Sequence, residues 1–327
     1  MFSNAKIWLD TSALLPVVAE TLIEAPEHRL QTELLRATVE SGVALYVTDG
    51  VIEELRFHFE RCLAYLHAGS EWDGEVPFVF SAYMLAGRDE RLFADWLTNF
   101  RGDLNPERDI EDYLEARFSI KRSDLKSVAD EADIRLRSAV SELFRRKHPA
   151  NNAKGRAGRN RRQWEGRSDR LAAHDVESAV GIIQLRRKSS SALGYEAWWL
   201  TLDKTAFKLG GWLKQQLGRD APHTPALSPD YLSQMLRLGP LRRTTAETAR
   251  LPLVVDVTRL ESVPPALIQA AREKRAAMSG YDEVRIRREV RDELFRIRTT
   301  MKAGQDYSTQ VRDSVTSSIK IGRPSRG

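Results

Sequence analysis

The sequence predicts an α/β protein built on a central, mainly parallel sheet with helices on both faces. Three observations predict it. Short apolar runs such as Val43 to Val47 and Ala197 to Leu202 read as strands buried on both faces, which is how parallel strands look. They alternate with longer amphipathic stretches of helical period. Acidic residues also stand where such strands end or where the next helix begins, the edge at which parallel sheets collect their chemistry.

In order, Lys6 to Leu9 is the first strand, ending at Asp10, with Thr11 or Ser12 able to cap the following helix. That helical stretch runs to about Ser41 and breaks near Pro26. The second strand is Val43 to Val47, between Gly42 and the turn Thr48-Asp49-Gly50. A helix from Val51 to His67 places Glu54 on its first turn. From about residue 69 to 165 the chain is mostly helical and charged, including a long segment from Pro106 to Arg146, with Val76 to Phe80 as a short strand candidate.

Arg145 to Arg170 is basic and rich in Gly and Asn, and is expected to be a loop. A helix from Leu171 to Arg187 follows, with Asp175 near its start, then the strand Ala197 to Leu202. Next come helices at Lys204 to Leu217 and Ser228 to Leu238 and a last strand candidate at Leu253 to Val257. Pro264-Pro265 marks a boundary before a charged helix from Ala266 to Met301, with a break expected at Gly280. This divides the chain into a main domain over 1–265 carrying a helical, basic-tipped insertion at about 69–165, a helical extension over 266–303, and a tail over 304–327 expected to be disordered.

Bulk properties narrow the function classes. The chain has 327 residues, 42% of them hydrophobic, enough for a substantial core. No run reaches the roughly 18 apolar residues a membrane span needs. A single cysteine, Cys62, excludes an internal disulfide, and no secretory leader pattern opens the chain; both fit a cytoplasmic protein without a membrane partner. The net charge of +5 is unevenly spread: residues 1–144 carry 27 acidic and 15 basic side chains, while the remainder carries 19 acidic and 36 basic. An acidic half beside a basic half suits a metal-dependent enzyme acting on a polyanion.

Asp10, Glu54, Asp175 and Asp203 carry the chemistry. Parallel neighbouring strands would bring all four to one crevice, where clustered carboxylates repel unless a cation compensates. Hard oxygen ligands in that number suit Mg²⁺ or Mn²⁺, ions that orient water and neutralise charge on phosphate oxygens. Each acid also has a plainer reading. Asp10 and Asp203 could cap helices, and Glu54 could answer a helix dipole. No glycine-rich phosphate loop follows a strand, and His58 with Cys62 lacks the further ligands a zinc site needs.

Four stretches together resemble the PIN-domain nucleases. They are Leu9-Asp10-Thr11-Ser12-Ala13-Leu14-Leu15, Glu54-Leu55 with Glu53 as the rival acid, Asp175 in HDVESAVGII, and Thr201-Leu202-Asp203-Lys204 with Phe207. The resemblance implies a Rossmann-like PIN fold and metal-dependent cleavage of nucleic acid, RNA foremost, with single-stranded or structured DNA as the other substrate class. It also implies Asp10, Glu54, Asp175 and Asp203 as catalytic metal ligands, with Thr11, Ser12 and Thr201 holding them from behind. The basic stretch, through Arg145, Arg146, Lys147, Lys154, Arg156, Arg159, Arg161 and Arg162, is read as a phosphate-contacting arm, with Trp164 available to stack on a base. The competing expectation is a catalytically inactive PIN-like protein that binds nucleic acid or serves as a scaffold. A protein partner or self-association is left open.

Overall fold

The computed structural model describes residues 5–69, 72, 75–147, 159–186, 196–238 and 263–300. Five strands form one parallel sheet: β1 (Lys6–Leu9), β2 (Ala44–Val47), β3 (Ile120–Arg122), β4 (Ala197–Leu200) and β5 (Ala226–Leu227). Their order across the sheet is β3-β2-β1-β4-β5, and every pairing is parallel. The chain therefore winds outward from β1 in one direction through β2 and β3, and in the other through β4 and β5. Such a reversal leaves a crevice outside the carboxyl ends of the two central strands.

Side-chain alternation along the strands sends successive residues to opposite faces. Ile7, Leu9, Leu45, Val47 and Leu200 enter a core with α1 (Thr11–Glu20), α2 (Leu30–Glu40) and α3 (Asp49–Ala68). Trp8, Ala197 and Trp199 enter a second core on the other face. There they meet α7 (Lys126–Asp130), α8 (Ile134–Lys147), α9 (Arg159–Leu185) and α10 (Lys204–Leu217). The expected helices on both faces of a parallel sheet are present.

The region between α3 and α8 departs from expectation. Val76 to Phe80 is not a strand: Phe78 opens α4 (Phe78–Leu85), whose Val79, Phe80, Ser81, Tyr83 and Met84 are all buried. A segment apolar all round is what a fully buried helix requires, and over so few residues periodicity cannot separate it from a strand. Helices α5 (Phe93–Arg101) and α6 (Pro106–Phe118) continue the layer. Inside the stretch read as one long helix, Ser119 turns the chain at φ 55° and β3 joins the sheet beside β2. Two of the three β3 residues are exposed, so this edge strand lacks an apolar signature.

The basic stretch is not simply a loop. Its beginning is the last turn of α8 through Lys147, and α9 starts at Arg159; Lys154 and Arg156 lie outside the described residues. Toward the C-terminus, α11 (Pro229–Leu238) is followed by α12 (Pro265–Ala277) and α13 (Glu283–Thr300), with Gly280 between the last two as expected. Leu267, Ile268, Val290 and Leu294 of this pair pack into the same core as α1 to α4. Arg272 adds an ion pair with Glu90 (2.5 Å). The candidate strand Leu253 to Val257 and the tail from 304 on lie outside the described residues. No described helix is long and apolar enough to cross a membrane.

Candidate active site

Asp10 follows β1 and Thr201 follows β4, and the register pairs Leu9 with Leu200 across the reversal point. The two residues are therefore neighbours, and the Thr201 hydroxyl donates to Asp10 Oδ2 (2.7 Å). Ser12 donates to the same oxygen, while its own hydroxyl accepts from the Leu202 amide (2.9 Å). Asp10 occupies the N-cap position of α1 yet makes no capping bond there, so its carboxylate is not spent on the helix.

Glu54 reaches the crevice from α3. This helix begins at Asp49, so Glu54 lies on its second turn rather than its first, because Thr48 caps the helix earlier than the apolar pattern suggested. Its Oε2 accepts from the Thr11 hydroxyl (2.7 Å), and its Oε1 lies 3.1 Å from His174 Nδ1. The rival Glu53 turns away to Arg170 (2.7 Å), with His174 Nε2 at 3.4 Å from its other oxygen. Glu54, and not Glu53, is thus the acid tied to the strand ends.

Asp175 was expected near a helix start but sits in the interior of α9. The geometry explains why this still serves. Arg186, just past the end of α9, donates to the Ala197 carbonyl (2.6 Å) at the start of β4. Asp175 lies eleven residues before it, about 16 Å along a helix axis, enough to carry it to the opposite, carboxyl end of the sheet. Asp203 caps α10 through Oδ1, which accepts from the Thr205 amide (2.9 Å), so its capping role is real. Its Oδ2 faces the Lys147 ammonium.

Lys147 is placed otherwise than expected. Instead of pointing to solvent as part of a phosphate-binding arm, its ammonium lies 2.8 Å from Asp175 Oδ2 and 2.8 Å from Asp203 Oδ2. Burial pulls its pKa down, but the two carboxylates outweigh that and hold it above the ordinary lysine value. Arg145 and Arg146, directly before it, are exposed; Arg146 pairs with Glu142 and lies over the Trp212 ring, 4.7 Å from its centroid. Arg159, Arg161 and Arg162 fall in the opening turn of α9.

Asp10 bears the electrostatic cost of this assembly. Burial, followed by the charges of Asp175 and Glu54, pushes its pKa up to about 6, although the Ser12 and Thr201 hydroxyls pull the other way. Beyond the effect of burial, the two neighbouring carboxylates place Asp10 in a negative potential of the kind a hard divalent cation relieves. Asp10 and Glu54 offer the hard oxygen donors that such an ion takes. In the other half of the crevice, the lysine already stands between the two acids. Among the described residues, no group of three or more Asp, Glu, His or Cys side chains is placed to hold a metal ion.

No family model matches the chain, and no curated protein or solved structure matches it significantly. The site must therefore be interpreted from its own chemistry.

Two contributors have no sequence signature of their own. His174, directly before Asp175, links Glu53 and Glu54; burial lowers its pKa, but its bond to Glu54 and the acids around it raise it overall. Gly50 makes room for that ring, since a Cβ there would collide with the imidazole carbons. In sequence His174 is only one letter of HDVESAVGII, and Gly50 resembles an ordinary turn glycine. By contrast His58 accepts from the Val79 amide (3.3 Å), and Cys62 is wholly buried with its thiol pushed up to about 12. That pair belongs to the core.

Proposed function

We propose that this chain is a divalent-metal-dependent nuclease of PIN-like type that hydrolyses phosphodiester bonds, in RNA foremost. The observation that carries the reading is that Asp10 feels the charges of Asp175 and Glu54 while Asp175 shares the Lys147 ammonium with Asp203, four acids from four separate segments. The raised pKa of Asp10 supports it, because stability alone gives no reason to bury a carboxylate among like charges.

Asp10 and Glu54 would hold a Mg²⁺ or Mn²⁺ ion. Such an ion supplies Lewis-acid stabilisation of phosphate oxygens and a more acidic bound water. The protein's own groups do the positioning. Ser12 and Thr201 fix Asp10 through Oδ2. Thr11 and His174 fix Glu54 from both oxygens. Arg145 and Arg146 at the end of α8 offer cationic contacts to a polyanion beside the acids.

The test uses purified full-length chain with end-labelled single-stranded RNA and Mn²⁺. The reading expects cleavage that chelation abolishes and that Asp10→Asn reduces by two or more orders of magnitude, about 3 kcal/mol or more of transition-state stabilisation. Salt-sensitive RNA binding without turnover, unchanged by chelation and by Asp10→Asn, would instead support the inactive binding or scaffold protein.

A further inference from the structure

The two halves of the acidic crevice are neutralised by different means. Asp175 comes from the interior of α9 and Asp203 from the start of α10, and both direct an Oδ2 at the Lys147 ammonium, at 2.8 Å each. The Asp175 and Asp203 side chains are only 9% and 15% exposed, so the pairs are shielded from solvent and salt. A carboxylate–ammonium–carboxylate bridge between two elements is the arrangement a metal ion commonly provides. Asp10, by contrast, is met by the neutral hydroxyls of Ser12 and Thr201.

Formal charge bears on how many ions the crevice takes. Four carboxylates less one ammonium leave three negative charges, or two when His174 beside Glu54 is protonated. One divalent cation brings that to minus one or to zero, and a second would make the site positive before any phosphate arrives. A second ion would also have to displace an ammonium held by two short contacts.

We propose that Lys147 is a tethered cation standing where a second metal ion would otherwise sit, so the crevice loads one divalent ion, on the Asp10–Glu54 side. This rests on the metal-dependent reading above. It reassigns Asp203 from metal ligand to anchor of the lysine and cap of α10. It also takes Lys147 out of the substrate arm and makes it a positioning residue whose charge cannot exchange with cations in solution.

Counting bound Mn²⁺ tests this without any activity measurement. Full-length protein is titrated with Mn²⁺ by isothermal calorimetry, with bound ions counted independently by paramagnetic resonance. The native chain is expected to bind one ion. Lys147→Met, which keeps the length and removes the charge, is expected to bind two, and Lys147→Arg one. Asp203→Asn, which leaves the Asp10 side intact, is expected to change the affinity for the single ion by less than about tenfold, the lower end of the effect of disturbing a ligand's support.

Two ions in the native chain overturn the proposal even if Lys147→Met does not fold. One ion in a folded Lys147→Met, or a larger loss of affinity in Asp203→Asn, overturns it as well. Those outcomes leave the nuclease reading standing, since metal still binds. No binding in the native chain overturns both.

Discussion

The Asp175–Asp203 half of the crevice and the Asp10–Glu54 half are both acidic and both shielded, but they answer their own charge differently. The first has a lysine built into it, which leaves it one formal negative charge. The second relies on the hydroxyls of Thr11, Ser12 and Thr201 and on His174, and its Asp10 is held well above its ordinary pKa. A fold that partly neutralises one pair of acids with its own side chain could have done the same for the other. On the reading proposed above, that half is the one kept for an ion from solution.

Single substitutions in the two halves should therefore have opposite signs. The largest effect is expected from Lys147→Met, which leaves two shielded carboxylates facing each other. By analogy with other broken buried pairs it should cost about 3 kcal/mol in metal-free urea unfolding. Asp10→Asn should do the reverse. Its pKa shift from 3.8 to about 6 corresponds to about 3 kcal/mol of strain in the ionised fold at pH 8, less whatever the Ser12 and Thr201 bonds lose. A net gain of about 1–2 kcal/mol at pH 8 is the expected outcome. A loss there would erase the contrast.

The same contrast has a pH signature. Asp10 is a carboxylate with a raised folded-state pKa, so the fold binds its proton more tightly than the unfolded chain does. Its contribution favours the fold at low pH and is lost as pH rises from about 4 through about 6, then stays level. His174 behaves similarly further up: its raised pKa stabilises the charged form, and that contribution fades once pH passes the folded value. Metal-free unfolding of the native chain minus that of Asp10→Asn should show the lower window alone. A flat difference would remove the electrostatic account of Asp10.

Similar in size and opposite in sign to Asp10→Asn is the effect of Gly50→Ala. The added methyl must push the His174 ring from its place between Glu53 and Glu54, costing about 1–2 kcal/mol and loosening Glu54. Unfolding together with Mn²⁺ titration would check both, and unchanged Mn²⁺ affinity would show that His174 does not position Glu54. Removing the exposed Arg36–Glu33 pair, remote from either half, should change stability by less than about 0.5 kcal/mol.

What could be read in the sequence follows from burial. β1, β2 and β4 are flanked by helices on both faces, so their apolar runs were visible, and with them the positions of Asp10 and Asp203. β3 and β5 lie at the edges, with three and two residues, and carry no comparable run. The acids that come from helices were harder to place. Glu54 and Asp175 depend on where α3 and α9 begin, and neither start is marked by hydrophobic period. Lys147 was legible only as a member of a basic stretch: ten cations between residues 145 and 170 are alike in sequence, and only packing of α8 against α9 and α10 singles out one. Pair partners are long-range facts that local pattern does not carry.

The most direct test of the central claim is thermal unfolding of the full-length native chain and of Asp10→Asn, each with and without saturating Mn²⁺. An ion that binds only the folded state at about a hundred times its dissociation constant adds about 2.7 kcal/mol. The account predicts a clear rise in Tm for the native chain and little or none for Asp10→Asn. Equal shifts in both proteins, or no shift in the native chain, would contradict it.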